Sequence, residues 1–394
     1  MLNAPAAVRL GSDLLLSSGR LRGARVGIVC NHASLDHGFA HIVDRLTADD
    51  GVRLAAIFGP QHGFRSDVQD NMIETPHRDD PSRRVPIYSL YSETREPTAD
   101  MLKGLDLVVI DLQDIGARIY TYIYTMANCL RACGRHGVPV IVCDRPNPIN
   151  GVDVEGNLLR KGFESFVGLF PLPMRHGMTI AELARLFNEE FGLGAQLEVI
   201  RMEGWQRSEF HDATDLPWVM PSPNIPTLDS AVVYPGTVLF EGTLLSEGRG
   251  TTRPFELVGA PGIEAERFAG HLNDLGLPGV FFRPAVFEPT FQKHAKQPCG
   301  GCQVHVTDRR TFKPVLTGVA LLAAFWQARG TALPLWRQPP YEYEHEKLPI
   351  DILSGSDALR TQIESGMGAA AIGATWQGEE GAFRKARAPY LLYP

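Results

Sequence analysis

The chain has 394 residues and a formal net charge of −7, from 38 basic and 45 acidic side chains. At about 100–200 residues per domain, that length predicts two domains or three. The mild acidity argues against a dedicated nucleic-acid binder, which needs a clustered basic face, and no apolar run reaches the ~20 residues that span a bilayer.

The opening residues, MLNAPAAVRLGSDLLL, lack a basic region followed by an apolar core and a cleavage site. A cytoplasmic location is therefore expected. Residues 24–31 (ARVGIVCN) are an apolar, β-branched run that predicts a buried strand. A helix over 39–50 follows, then strands at 53–60 and 85–91. Thr98 is the expected cap of a short helix in TADMLKGL. DLVVIDLQD, 106–114, reads as the strongest buried strand; a helix over 120–135 and a fifth strand at 138–146 follow it. Strands that are apolar throughout and alternate with helices mean a parallel sheet covered on both faces. The fold class is therefore α/β, with an open, doubly wound sheet.

Past Pro148 the chain is richer in Gly, Pro and Phe. A capped amphipathic helix is predicted over 179–192, and a strand over 197–202. Five prolines between 217 and 236 predict irregular structure, a linker or a shaped binding loop. Strand-like pieces (GVFFRPAVF, CQVHVTD) and helices at 315–329 and 357–366 suggest a smaller α+β unit. The expected division is residues 1–236 and 237–394. Of six cysteines, Cys299 and Cys302 form one Cys-x-x-Cys, without the second pair or βαβ setting that zinc or redox chemistry needs.

In an open α/β sheet, ligands bind beyond the carboxyl ends of the strands. That rule selects Asn31, the loop Gly59–Arg65 with Gln61, His62 and Arg65, the run Asp111–Arg118, and Asp144, Arg145 and Asn147. Later loops add Arg175, His176, Asn224 and the run Ser246–Glu256, whose Gly spacing and Arg249 and Arg253 suit an anionic, hydroxyl-rich ligand. Capping of the following helices is the competing reading for Asp111 and Asp114. There is no G-x-G-x-x-G, P-loop, G-x-S-x-G or H-E-x-x-H. What remains is carboxylate, amide and Arg chemistry of the kind that handles sugars. Glycoside cleavage needs a proton-donating acid and either a base, a nucleophile or help from the substrate.

GPQHGFR, DIGARIYTYIYTM, DRPNPINGVDVEG, RHGMTIAEL, PSPNIPT and LSEGRGTTRPFE, in this order, resemble the exo-β-N-acetylmuramidase family (NamZ-type, glycoside hydrolase family 171). The likeness covers nearly the whole chain. It implies a Rossmann-like N-terminal domain, a smaller C-terminal domain and an active site between them. It implies release of terminal N-acetylmuramic acid from peptidoglycan fragments, with no metal or nucleotide cofactor and a small-molecule or oligosaccharide partner. The family pattern places Glu before the His, in Pro-Glu-His-Gly, as the leading candidate acid; this chain has Gln61. A neutral amide cannot donate that proton. Either another carboxylate serves, or the substrate or mechanism is changed, or the chain binds sugar without cleaving it. Glu74, Asp114, Glu155 and Glu247 are the nearest replacements by motif, with Glu155 first. Under this resemblance Asn224 is a candidate for the acetamido group, and Arg118, Arg249 and Arg253 for the lactyl carboxylate.

Overall fold

A computed structural model describes residues 7–70, 72–328 and 334–394. Residues 1–6 of the opening segment and residue 329, the expected end of a helix, lie outside the described residues. In chain order the first half comprises α1 (Gly11–Ser17), β1 (Arg25–Cys30), α2 (Ile42–Ala48), β2 (Arg53–Gly59), β3 (Arg78–Asp80), β4 (Val85–Ser89), α3 (Ala99–Leu102), β5 (Leu107–Asp111), α4 (Tyr122–His136) and β6 (Val140–Cys143). The ribbon β7 (Glu155–Leu158) and β8 (Pro173–Arg175) precedes α5 (Ile180–Glu190) and β9 (Leu197–Ile200). The strands assemble in the order β3-β4-β2-β1-β5-β6-β9. All neighbours pair parallel except β3, which runs antiparallel to β4.

Alternation along β1 shows how the sheet is covered. Val26, Ile28 and Cys30 pack with Leu15 of α1 and Ile42, Val43 and Leu46 of α2. Val29 enters the larger core with Val108, Ile110 and the apolar face of α4. Side chains two apart share a face, so one strand feeds two cores. The winding reverses between β1 and β5, and Asn31 and Gln113 leave the sheet there. Asn31 Oδ1 accepts from the Gln113 backbone N–H at 3.2 Å.

The second half holds α6 (Leu228–Thr237), β10 (Leu257–Ala260), α7 (Ala265–Asp274), β11 (Val280–Phe287), β12 (Cys299–Val306) and α8 (Pro314–Ala328). Short helices follow: α9 (Pro349–Ser354), α10 (Ala358–Glu364), α11 (Ala369–Ala374) and α12 (Gln377–Arg387). The strands pair antiparallel in the order β10-β12-β11. Cys299 and Cys302 are buried within β12.

One expectation needs correction. The proline-rich stretch is not irregular throughout, because residues 228–237 form α6 with Pro235 inside it. Thr227 accepts from Ser230 N–H and starts the helix. Proline removes one i→i−4 bond, and its position near the last turn keeps that loss local. Burial of the helix against α8 offsets it: a Cβ on Gly236 would lie 1.9 Å from Pro314 O, so the two backbones touch.

The carboxyl ends of β5 and β6 are tied by a buried ion pair. Arg145 Nε and Nη2 donate to the two Asp111 oxygens at 2.5 and 2.9 Å, and Nη1 donates to Leu35 O at 3.0 Å. Removing one member of such a pair leaves an uncompensated buried charge. Asp111→Ala is expected to lose about 3–5 kcal/mol in urea denaturation; a loss under about 1 kcal/mol would show that the pair is dispensable.

Candidate active site

Beside the carboxyl edge of the sheet lies a polar cleft that encloses about 470 Å³ of space, its mouth included. Four segments supply most of its polar lining. The loop after β2 supplies Gln61 and His62, and the start of α4 supplies Tyr120, Thr121 and Tyr122. The proline-stiffened loop supplies Ser222 and Asn224. The chain beyond α6 supplies Glu241, Arg249, Tyr341 and Glu342.

Glu342 sits in a tight turn. Tyr341 and Glu344 exchange backbone hydrogen bonds of 2.9 Å each way, and the two residues between them have φ of +45° and +67°. A turn with two left-handed central residues ordinarily takes Asn and Gly; here it takes Glu342 and Tyr343. Such strain costs on the order of 1–3 kcal/mol per residue and clusters at functional sites.

Two carboxyl groups share the cleft and meet different surroundings. Glu342 is 4% exposed. Its Oε1 accepts from Gln61 Nε2 at 3.3 Å and its Oε2 from the Tyr91 hydroxyl at 2.9 Å. Thr121 donates to Gln61 Oε1 at 2.8 Å, which leaves the amide NH2 free to face Glu342. Burial pushes the Glu342 carboxyl up to about 7, against the Tyr91 hydrogen bond and with the help of the Glu241 charge. Glu241 is ion-paired: Arg249 Nη2 donates to Oε1 at 2.5 Å and the Tyr341 hydroxyl to Oε2 at 2.7 Å.

Behind Glu241 the charges alternate. Arg249 Nε lies 3.4 Å from Glu247 Oε1, and Lys293 Nζ lies 2.8 Å from Glu247 Oε2. Burial alone would raise the Glu247 carboxyl; Lys293 and Arg249 hold it below the usual range. Arg249 Nη1 is buried and has no hydrogen-bond partner among the described residues. Burial takes the His62 imidazole down to about 4, so it is neutral at ordinary pH. Its Nδ1 lies 2.8 Å from Val68 O, which can only accept. The proton is therefore on Nδ1, and Nε2 is an acceptor.

The cleft thus gathers four residues selected from the sequence: Gln61, His62, Asn224 and Arg249. Glu247 stands behind them, on Arg249. The other selected residues line no part of it and have structural partners or open surroundings. Asn31 bridges Gln113 and Pro221. Asp111 and Arg145 hold each other. Asp144 accepts from Thr179, Ala181 N–H and Tyr393, and burial pushes it up to about 7. Asn147 donates to Met178 O. Arg118 is fully buried and donates to Asn157 O, Leu172 O and Leu353 O. Arg175 pairs with Asp153, and His176 lies 3.6 Å from Asp114. Asp114 also caps Gly116 N–H. Arg65 is exposed, and Arg253 pairs with Glu256 near the surface.

The expected replacement acids fare alike. Glu155 accepts from Leu316 N–H at 2.8 Å, and its carboxyl is pushed up to about 7 by burial outside the cleft. Glu74 is half-exposed and accepts from Tyr343 at 2.9 Å. Glu342 escaped sequence reading because no motif frames it. The one available signal is Tyr341-Glu342-Tyr343-Glu344, aromatic and acidic residues alternating directly after two prolines.

A carboxyl that titrates near 7 in the fold and at 4.5 elsewhere binds more protons folded than unfolded between those values. Its contribution is intact below about 4.5 and is lost as pH rises through 7. Glu342→Gln should therefore lessen the loss of stability between pH 5 and pH 8 by on the order of 3 kcal/mol. Urea denaturation at both pH values checks this; an unchanged difference counts against a raised Glu342.

Two family models match the chain: Exo-beta-N-acetylmuramidase NamZ, N-terminal, over residues 26–229, and its C-terminal counterpart over residues 232–393. The peptidoglycan beta-N-acetylmuramidase NamZ of Bacillus subtilis (strain 168) is 44% identical over 389 residues, which is 98% of this chain and 91% of that one. A crystal structure of a DUF1343 family protein from Bacteroides fragilis NCTC 9343 superposes with a TM-score of 0.89 at 33% identity, over 98% of this chain and 99% of that one. A second DUF1343 structure from the same organism gives a TM-score of 0.76 at 27% identity, with the same coverage. The sheet order, the second smaller sheet and these matches agree: the chain belongs to the exo-β-N-acetylmuramidase NamZ family.

Proposed function

We propose that this protein is a glycoside hydrolase that releases terminal N-acetylmuramic acid from peptidoglycan fragments, with Glu342 as its proton donor. The observation that carries the assignment is a buried carboxyl, raised to about 7, hydrogen-bonded to Gln61 and facing the same cleft as an ion-paired Glu241. A general acid works best when its pKa lies near the operating pH, and environments that set two carboxyls apart assign their roles. The kinship to a peptidoglycan β-N-acetylmuramidase supplies the substrate class.

In this reading the proton passes from Glu342 to the glycosidic oxygen as the C1–O bond breaks. The Glu241 carboxylate faces the positive charge that develops on the sugar ring. Water then adds to C1, and the proton it sheds returns to Glu342. Gln61 is a positioning residue: held by Thr121, it donates to the carboxyl it adjoins. Arg249 Nη1 is the donor for the lactyl carboxylate, since a buried cationic N–H without a partner is costly until an anion fills the position. Glu241, Glu247, Arg249 and Lys293 balance in charge, so the cluster has no net repulsion for that anion.

We divide the chain at residues 236 and 237. On that division Gln61 and the α4 tyrosines come from the first domain, and Glu241, Arg249 and Glu342 from the second. A carboxyl at 342 also removes the reason for reading Gln61 as the mark of a protein that binds without turnover.

Release of the chromophore from an N-acetylmuramide, and of the sugar from a muramyl disaccharide, tests the reading. Wild-type activity should fall as pH rises through about 7, as the acid loses its proton. Glu342→Gln should lower kcat/KM by about 10²–10⁴. Full activity in that variant would remove Glu342 as the acid. No release by folded wild-type protein would overturn the glycosidase assignment.

A further inference from the structure

A second cleft of about 1,050 Å³, its mouth included, adjoins the first. Glu342 is the only described residue that lines both. The next residue in the strained turn, Tyr343, lines the second cleft and is 51% exposed. Its ring is nonetheless fixed. The Arg95 guanidinium carbon sits 4.3 Å from its centroid, and the same guanidinium lies 4.5 Å from that of Tyr91. The Tyr343 hydroxyl donates to Glu74 at 2.9 Å. An aromatic ring held from one side and open over much of its area is a prepared platform, and its electron-rich face suits the C–H face of a pyranose.

The walls of this cleft also discriminate by charge. Glu74, Glu93, Glu164 and Glu344 line it together with Arg95, which pairs with Glu74, while Lys347 pairs with Glu344. Glu93 and Glu164 remain as a negative excess that disfavours an anionic guest, because like charges brought together without a counter-ion repel.

A general acid must reach the glycosidic oxygen, which belongs to both sugars of the bond it breaks. The residue that donates must therefore stand where the site for one sugar meets the site for the other. Glu342 occupies that kind of position between the two clefts. We propose that the second cleft is the leaving-group subsite. It takes an uncharged pyranose, stacked on Tyr343, while Glu342 in the shared wall protonates the oxygen between the two sugars. This rests on the glycosidase reading above and adds to it the place and character of the departing sugar.

The test compares two substrates that share the muramyl group. One is the β-linked disaccharide with uncharged N-acetylglucosamine as leaving group. The other is β-N-acetylmuramyl fluoride, whose leaving group is too small to reach the platform. Tyr343→Ala should lower kcat/KM for the disaccharide about tenfold and leave the fluoride within about twofold. Tyr343→Phe keeps the ring and should lose less than Tyr343→Ala on the disaccharide. Equal losses on both substrates would show a role in the turn alone, and no loss on either would show that the platform is unused; both overturn the subsite. The wild-type protein gives a second measurement that needs no variant. A leaving sugar that carries a carboxylate should be cleaved at least about tenfold more slowly than its uncharged counterpart, and equal rates overturn the assigned charge preference. Wild-type protein that cleaves neither substrate would remove the glycosidase reading and the subsite with it. Cleavage of both with an indifferent Tyr343 would remove the subsite only.

Discussion

The buried ion pair between Asp111 and Arg145 is the constraint on which the carboxyl edge of the sheet depends. Two charges out of water are costly, and bidentate geometry is what offsets that cost. Arg145 Nη1 also donates to Leu35 O, while the Arg145 backbone N–H is held by Asp144. Asp144 in turn accepts from Thr179 and Ala181 at the start of α5, and from Tyr393 near the far end of the chain. The ends of β5 and β6, one helix and a distant segment are thereby fixed by one polar seam. The seam is saturated. Its carboxylates have partners, so the chemistry falls to the loops beside it.

That saturation explains how far the sequence could be read. All five strands expected in the first half appear in the central sheet, because unbroken apolar runs such as Val108–Ile110 have few alternatives to burial between helices. The strand expected at 197–202 also belongs there, next to β6. Residues 11–17 were not read as a helix, since a seven-residue element that begins with Gly carries little periodicity. Pro235 misled in the opposite direction, because tertiary burial outweighed one lost hydrogen bond. The rule that ligands sit beyond strand ends selected residues along the carboxyl edge, beside which the polar cleft lies. It could not distinguish Asp111, Asp144 and Asn147, which hold the edge together, from Gln61 and His62, which face the cleft. Glu342 was out of reach for a different reason: it meets Gln61 across 281 positions of sequence, through a turn whose backbone conformation its residue types do not announce.

The cleft also shows one residue type made into different chemical species by its surroundings. Glu342 faces neutral donors and low polarity, and its proton is held more tightly. Glu247 is as deeply buried but lies between a lysine and an arginine, and its proton is held less tightly. Burial supplies the same cost to both; the neighbouring cations decide the sign. In the proposed reading, the exchange of Glu for Gln at position 61 does not empty the site of acid. It moves the proton across a hydrogen bond, with the amide left to orient its neighbour.

The long reach from Gln61 to Glu342, and from Asp144 to Tyr393, bears on the order in which the molecule assembles. Bringing together groups so far apart in the chain carries a loop-closure cost that grows with separation and is repaid only when the contacts form. The parallel sheet gathers strands that lie much nearer in sequence. A refolding chain therefore has reason to complete its scaffold before Glu342 arrives, and the late step is the arrival of a strained turn at a cleft already half built. In the proposed reading, recovery of secondary structure and recovery of activity are then separate clocks, the second set by the journey of one carboxyl group.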